Sequence, residues 1–349
     1  MKGKMKVALM TDIGRIEIAE RDIPQPKPDE VLVKIGYVGI CGSDLHYFET
    51  GRIGNFIVKP PFVLGHEASG TVVEVGSNVT HLKPGDRVAL EPGKTCGKCE
   101  YCRTGKYNLC PDVEFFATPP YDGVFQEYAV HDANLCFKLP DTVSLMSGAL
   151  IEPLAVGFHA AMQGGAHVGQ TAVITGAGCI GLVSMLALKA MGVTDIYVID
   201  VIQKRLDKAL EIGATGIINS KKQDAVKAVM DLTGGRGCDI AIETSGVEIA
   251  AGQLIELTHK GGTIVFVGYS KDNKQCLPMN MAMDKELTLK TIFRYRHIYP
   301  MAIKAVANGI INPESIVTNQ FEFAEIREAL EQSINNKEDI VKAVVKIGG

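Results

Sequence analysis

Cys41, His46, His66 and Glu67 fall in one stretch of the chain, which opens Cys41-Gly42-Ser43-Asp44-Leu45-His46 and closes Gly65-His66-Glu67. A thiolate, an imidazole and a carboxylate are donors that zinc accepts. A mixed set of this kind suits a catalytic site with an open position better than a closed structural one. The same residue types beside apolar neighbours also read as packed core positions. A second constellation, Cys96-Gly97-Lys98-Cys99-Glu100-Tyr101-Cys102 with Cys110 beyond it, has the spacing C-x-x-C-x-x-C-x7-C inside a polar loop. Four thiolates suit tetrahedral zinc, and a loop with so little apolar material would take its order from the metal. An iron-sulfur cluster or a redox thiol pair is the other chemistry that this spacing allows.

A third stretch points to a dinucleotide. The run 171–175, Thr-Ala-Val-Ile-Thr, leads into Gly176-Ala177-Gly178-Cys179-Ile180-Gly181 and then a long helical pattern. Gly176 permits a tight turn, Gly178 lets a pyrophosphate approach the helix N-terminus beside Ile180, and Gly181 lets helix and strand pack closely. A lone G-x-G-x-x-G is weak, but the following apolar strand ends in Asp200, nineteen residues after Gly181. A carboxylate there accepts hydrogen bonds from the adenosine ribose and repels a 2′-phosphate, which favours NAD over NADP. Arg205 reads as packed against the adenine or paired with an acid. Asp200 also reads as an ordinary strand-ending acid. Glu152 stands alone in the apolar run 148–155, where a buried carboxylate needs a partner and a helix cap is the plainer reading.

These groups need elements to hold them. Between Val7 and Val88 short β-like runs alternate with glycines and Pro84-Gly85, the texture of a compact antiparallel or barrel-like β domain. Pro24, Pro26 and Pro28 form an extended lead-in to the second strand. Asp86–Leu90 and Gly123–Val130 read as further strands. From Thr171 the pattern becomes strand and helix in alternation, giving six strands and hence a doubly wound parallel sheet of α/β class. Val267, Gly268 and Phe293 follow strand ends and are expected to contact the nicotinamide. The tail reads as a helix from Pro300, a short strand at Phe321–Phe323, a helix from Ala324 and a last β run at Val341–Ile347 that returns to the first domain.

At 349 residues, two domains are expected rather than one. A net charge of -4 offers no basic field for nucleic acid, which leaves small molecules or further copies of the chain as partners. No run approaches the length of a membrane span, and the N-terminus lacks the apolar core of a signal peptide, so a cytoplasmic location is expected. Nine cysteines crowded partly into one loop then indicate metal rather than disulfides.

Taken together, Cys41-Gly42-Ser43-Asp44-Leu45-His46-Tyr47, Gly51-Arg52-Ile53-Gly54-Asn55-Phe56, Gly65-His66-Glu67-Ala68-Ser69-Gly70, Ala117-Thr118-Pro119-Pro120, Ile151-Glu152-Pro153-Leu154 and Phe293-Arg294-Tyr295 resemble the zinc-dependent medium-chain dehydrogenases, and within them the sorbitol (polyol) dehydrogenases. The resemblance covers essentially the whole chain. It implies a discontinuous GroES-like catalytic domain, 1–154 with 293–349, and a six-stranded Rossmann NAD-binding domain, 155–292, commonly in a homotetramer. It makes Cys41, His66 and Glu67 the catalytic zinc set, with Glu152 beside the metal or reaching it through water. It gives Ser43 a place in the proton path, with His46 a further exit, and assigns Tyr47, Arg294 and Tyr295 to a polyol's extra hydroxyls. If His66 and Glu67 lie in extended chain their side chains point to opposite faces, so both meet one ion only through a local bend or a bridging water. Animal enzymes of this subgroup commonly lack a complete cysteine quartet, whereas Cys96, Cys99, Cys102 and Cys110 are all present, so a structural zinc is expected as well. The activity implied is oxidation of a secondary hydroxyl of a polyol to a ketose with hydride transfer to NAD. Butanediol and threonine dehydrogenases share this logic, and a non-catalytic structural relative or a zinc-independent reductase is the more distant alternative.

Overall fold

The computed structural model describes residues 1–271 and 274–348. Its contacts divide into two compact units, Met1–Glu152 with Tyr299–Gly349, and Pro153–Ile298. The boundaries fall at residues 152/153 and 298/299, so Phe293–Ile298 stays with the second unit, whose last strand it follows.

The first unit opens with a hairpin, β1 (Lys4–Asp12) and β2 (Arg15–Asp22), closed around Gly14 at φ 72°. The proline-rich lead-in therefore precedes the third strand, β3 (Glu30–Gly39), not the second. Short β4 (Phe62–Val63) pairs with β1. Then come β5 (Glu67–Val75), β6 (Arg87–Leu90), β7 (Tyr128–Asp132) and β8 (Cys136–Lys138). The run expected to be a strand from Gly123 pairs regularly only from Tyr128. Upstream, Gly123, Val124 and Phe125 donate their amides instead to the loop carbonyls Val63, Gly65 and Leu64. β3 is central: it pairs antiparallel with β5 and β7, and nine of its ten residues are shielded from full exposure. Val31, Val33, Ile35 and Val38 meet Leu90, Phe125 and Val345 in the core. Between β3 and β4 lies helix α1 (Gly42–Thr50), ended by Gly51 at φ 72°.

The second unit begins in helix α2 (Ile151–Gly164) and contains β9 (Thr171–Thr175), α3 (Cys179–Ala190), β10 (Asp195–Asp200), β11 (Gly216–Asn219), β12 (Cys238–Glu243), α4 (Glu248–Leu257), β13 (Thr258–Phe266) and β14 (Thr288–Thr291). The six strands are parallel in the order β11-β10-β9-β12-β13-β14. This is the doubly wound arrangement, whose strand order reverses between β9 and β12. Strands covered on both faces read as continuous apolar runs, as Ala172-Val173-Ile174 and Ile240-Ala241-Ile242 do, all fully buried. Helix α3 is buried along Gly181–Leu188, which matches its apolar character on every side.

The chain then returns to the first unit through β15 (Asn319–Glu322) and β16 (Ala343–Lys346). Strand β16 pairs antiparallel with β3, Val345 opposite Val38, and extends the sheet to the order β8-β6-β5-β3-β16-β15. No helix among the described residues is long and apolar enough to cross a membrane.

Candidate functional site

In the first unit, Cys41 sits at the N-cap of α1 in extended backbone. His66 precedes β5, and Glu67 begins it. Gly65, at φ 90°, bends the chain just before them. One donor atom from each of Cys41, His66 and Glu67 lies within 4.8 Å of the others. His66 is 7 % exposed and Glu67 1 %, so the group lies in a low-dielectric setting where a cation would be attracted strongly.

Asp44 organises this group. It is wholly buried; one carboxylate oxygen accepts from the Cys41 amide at 3.0 Å and the other from the Gly65 amide at 2.9 Å. The latter oxygen also lies 3.8 Å from His66 Nδ1. Burial acts against a charged imidazole, yet the Cys41 thiolate and the Asp44 carboxylate outweigh it and hold the His66 pKa well above its ordinary value. Glu67 is tied as well, because the buried Lys342 ammonium donates to Glu67 Oε2 and, at 2.9 Å, to the Ile40 carbonyl. Glu152 is buried in the first turn of α2 but does not join the 4.8 Å group. On α1, Ser43 is half-buried, His46 is exposed, and Tyr47 is packed in the core.

Cys96, Cys99, Cys102 and Cys110 also come together, with donor atoms all within 4.8 Å of one another. The Cys99 and Cys102 sulfurs are 3.5 Å apart, near the edge of roughly 3.8 Å that four sulfurs around one zinc would take. Amides of Lys98 and Cys99 pull the Cys96 thiol down to about 7, whereas burial pushes Cys110 up to about 12. The donor sets of both groups fit zinc. The lobe is fastened to the sheet by Tyr107, whose hydroxyl donates at 2.7 Å to Glu91, a carboxyl that burial pushes up to about 7.

In the second unit, Gly176 turns the chain at φ 95° after β9, and α3 starts at Cys179. A Cβ on Gly181 would lie 1.8 Å from the Gly176 carbonyl, so helix and turn approach as only glycine allows. At Gly178, among the described residues, such an atom would meet only Arg205 Nη1, at 3.7 Å, which leaves the turn open to a ligand. Asp200 ends β10 and accepts from the amides of Ala177, Val201 and Ile202 at 2.6, 2.7 and 2.9 Å. Ile180 is half-buried beside the turn. A cavity of about 760 Å³ lies beyond the ends of β13 and β14, lined by Val267, Gly268, Tyr269, Ile292 and Phe293 among others. Arg294 lies over the Phe293 ring at 4.8 Å, and Tyr295 is buried.

A doubly wound sheet with an open glycine turn, joined in one chain to a β-rich unit holding two metal-ligand clusters, defines an oxidoreductase of the two-domain dehydrogenase class. Residues 27–141 match the family model of the alcohol dehydrogenase GroES-like domain, and residues 179–308 that of the zinc-binding dehydrogenases. Sorbitol dehydrogenase of Bacillus subtilis is 43 % identical over 98 % of this chain and 97 % of its own, and that of Bos taurus 47 % over 92 % and 90 %. The crystal structure of 2R,3R-butanediol dehydrogenase from Bacillus subtilis superposes with a TM-score of 0.90 at 35 % identity, covering 99 % of this chain and 100 % of that one. The chain belongs to the zinc-dependent medium-chain alcohol dehydrogenase family, in its sorbitol dehydrogenase subgroup.

From the sequence Asp44 counts only as the second carboxylate near the thiol, and Lys342 only as part of the closing β run. Asp44 stands between two named motif residues, and its value lies in reaching Gly65, far along the chain. Lys342 carries no local signal, since a lysine beside Val341 reads as a solvated strand residue.

Proposed function

We propose that the protein is an NAD-dependent polyol dehydrogenase that oxidises a secondary hydroxyl to a ketone and holds one catalytic and one structural zinc. The observation that carries this reading is the convergence of Cys41, His66 and Glu67, a mixed donor set fixed by Asp44. Zinc bound there supplies a Lewis acid toward the substrate oxygen. Cys41 and His66 are its protein ligands, with Glu67 the third donor of the set. Lys342 pairs with one oxygen of Glu67 and holds that carboxylate beside Cys41 and His66. Ser43 and His46, one helical turn apart on α1, lead from half-buried to exposed surface and give the hydroxyl proton a way out. Glu152 shapes the neighbourhood from the start of α2. The quartet Cys96, Cys99, Cys102 and Cys110 would hold the structural ion that orders its loop.

For the cofactor, the amide-rich glycine turn suits a pyrophosphate, and Asp200 at the adjacent strand end suits a ribose without a 2′-phosphate. Polyols are favoured over other alcohols by the two sorbitol dehydrogenase relatives, each closer in sequence than the butanediol enzyme. Arg294, Tyr295 and Tyr47 are the residues we assign to the additional hydroxyls.

Initial rates with sorbitol, xylitol, 2,3-butanediol and threonine, each with NAD and NADP, test the reading. The expected outcome is turnover of sorbitol or xylitol with NAD, lost on chelation and restored by zinc. Preference for threonine or butanediol would overturn the polyol assignment. A native protein without zinc or turnover would point to a structural relative.

A further inference from the structure

Glu243 closes β12, the strand beside which the sheet order reverses, and no part of it is exposed. A carboxylate in that position is costly to bury unless its oxygens are satisfied. Among the described residues it has no cationic partner; it is met by dipoles alone. Its Oε1 accepts from the Ser245 amide at 2.7 Å, from the Gly246 amide at 3.0 Å, from the Ser245 hydroxyl, and from Thr175 Oγ1 at 3.4 Å. Its Oε2 accepts from the Gly246 amide, also at 3.0 Å. The backbone carbonyl of the same residue takes the amides of Val267 and Gly268 at 2.8 and 3.1 Å. One residue thus gathers the carboxyl ends of β9, β12 and β13.

The gathering leaves no spare room. A Cβ on Gly268 would stand 2.4 Å from the Gly246 amide nitrogen and 2.7 Å from Glu243 Oε2. One on Gly246, itself at φ 69°, would stand 2.1 Å from the Tyr269 carbonyl. The loops after β12 and β13 are therefore locked to each other across the Glu243 carboxylate. In a doubly wound sheet the ligand crosses the carboxyl ends at the switch point, with one mononucleotide on each half. Asp200 and the turn Gly176–Gly181 lie on the half formed by β9 to β11, whereas the loops locked by Glu243 lie on the half formed by β12 to β14, beside the Gly268 and Tyr269 cavity.

We propose that Glu243 is a positioning residue for the nicotinamide half of the cofactor site, an inference that rests on the nicotinamide reading given above. Its carboxylate holds the Ser245-Gly246 loop, against which Gly268 packs, in the shape that receives the nicotinamide riboside, and its one reach toward the adenosine half is the 3.4 Å contact from Thr175. Backbone amides, which can only donate, face both of its oxygens, so an amide in its place must turn one N–H against another. With Glu243→Gln, the amide oxygen can serve the Ser245 donors, and its nitrogen is then forced toward the Gly246 amide.

The chain contains no tryptophan, so the rise in NADH fluorescence on binding reports the nicotinamide environment cleanly, and calorimetry with ADP reports the adenosine half alone. Glu243→Gln is expected to weaken NADH about tenfold and blunt the fluorescence rise, with ADP affinity within about twofold of the original. Ser245→Ala, which keeps the acid and removes one donor, is expected to show the same split at about threefold, and it stands in should the first variant fail to fold. Equal loss of both ligands would make Glu243 a general prop of the fold and overturn the proposal, as would unchanged NADH binding in both variants. Failure of the parent protein to bind NADH at all would instead remove the nicotinamide reading on which the proposal rests.

Discussion

Asp44 touches no solvent, yet its two oxygens serve different segments, the Cys41 amide from α1 and the Gly65 amide from the turn before His66. A ligand set is only as well placed as the backbone beneath it, and outer partners of this kind typically set metal affinity. Replacing the acid by an amide of equal size, Asp44→Asn, aims N–H at N–H on one side and removes the charge facing His66. Zinc affinity at the Cys41 and His66 site is expected to fall about 10- to 100-fold, read by competition with a chromogenic chelator, while zinc in the cysteine quartet stays. Unaltered retention at both sites would show that the carboxylate merely fills space. The motif Cys41-Gly42-Ser43-Asp44 was legible as chemistry from residue types alone. Which of its members act on the ligands, and which through the backbone, depended on a turn more than twenty residues away, and no local pattern encodes that.

At the scale of elements, regular spacing carried the most information. The cysteine loop could be read as a cluster because its spacing alone brings four sulfurs together, and the six strands of the second unit because fully buried parallel strands leave unbroken apolar runs. Where a segment finds its partners in loops, as Gly123–Phe125 does, its apolar alternation looks like a strand and its hydrogen bonds go elsewhere. The hairpin of β1 and β2 was hidden for a related reason: β2 is exposed along most of its length and lacks the expected alternation. The cysteine lobe is thin and held from within by four sulfurs and from below by Tyr107 on Glu91. Cys110→Ser should therefore unfasten that lobe and spare the sheet. Limited trypsin digestion is expected to cut at Lys98, Arg103 or Lys106 far sooner than in the parent protein, with one zinc fewer per chain. Equal protease resistance would mean that the lobe needs no metal.

The whole molecule is built on a chain that leaves its first unit and comes back. The return was legible because a β run followed a complete six-stranded set, but what the return delivers was not. It brings β16 against β3 and, one residue before that strand, drives the Lys342 ammonium into the interior between the Ile40 carbonyl and Glu67, across 275 residues of sequence. Both members of the pair are almost fully buried, so neither has water to fall back on. A buried pair is weak support for stability as a pair, whereas a single survivor is an uncompensated charge costing about 3–5 kcal/mol. Lys342→Met is thus expected to destabilise the protein strongly, and Glu67→Gln on its own to leave the ammonium stranded. The double variant should recover most of the loss, since no charge then remains to be buried. Denaturant unfolding of the four proteins forms a double-mutant cycle, with a coupling of about 2 kcal/mol or more expected. Simple additivity of the two single losses would mean that the returning segment closes the unit by strand pairing alone, and that Glu67 does not need its lysine.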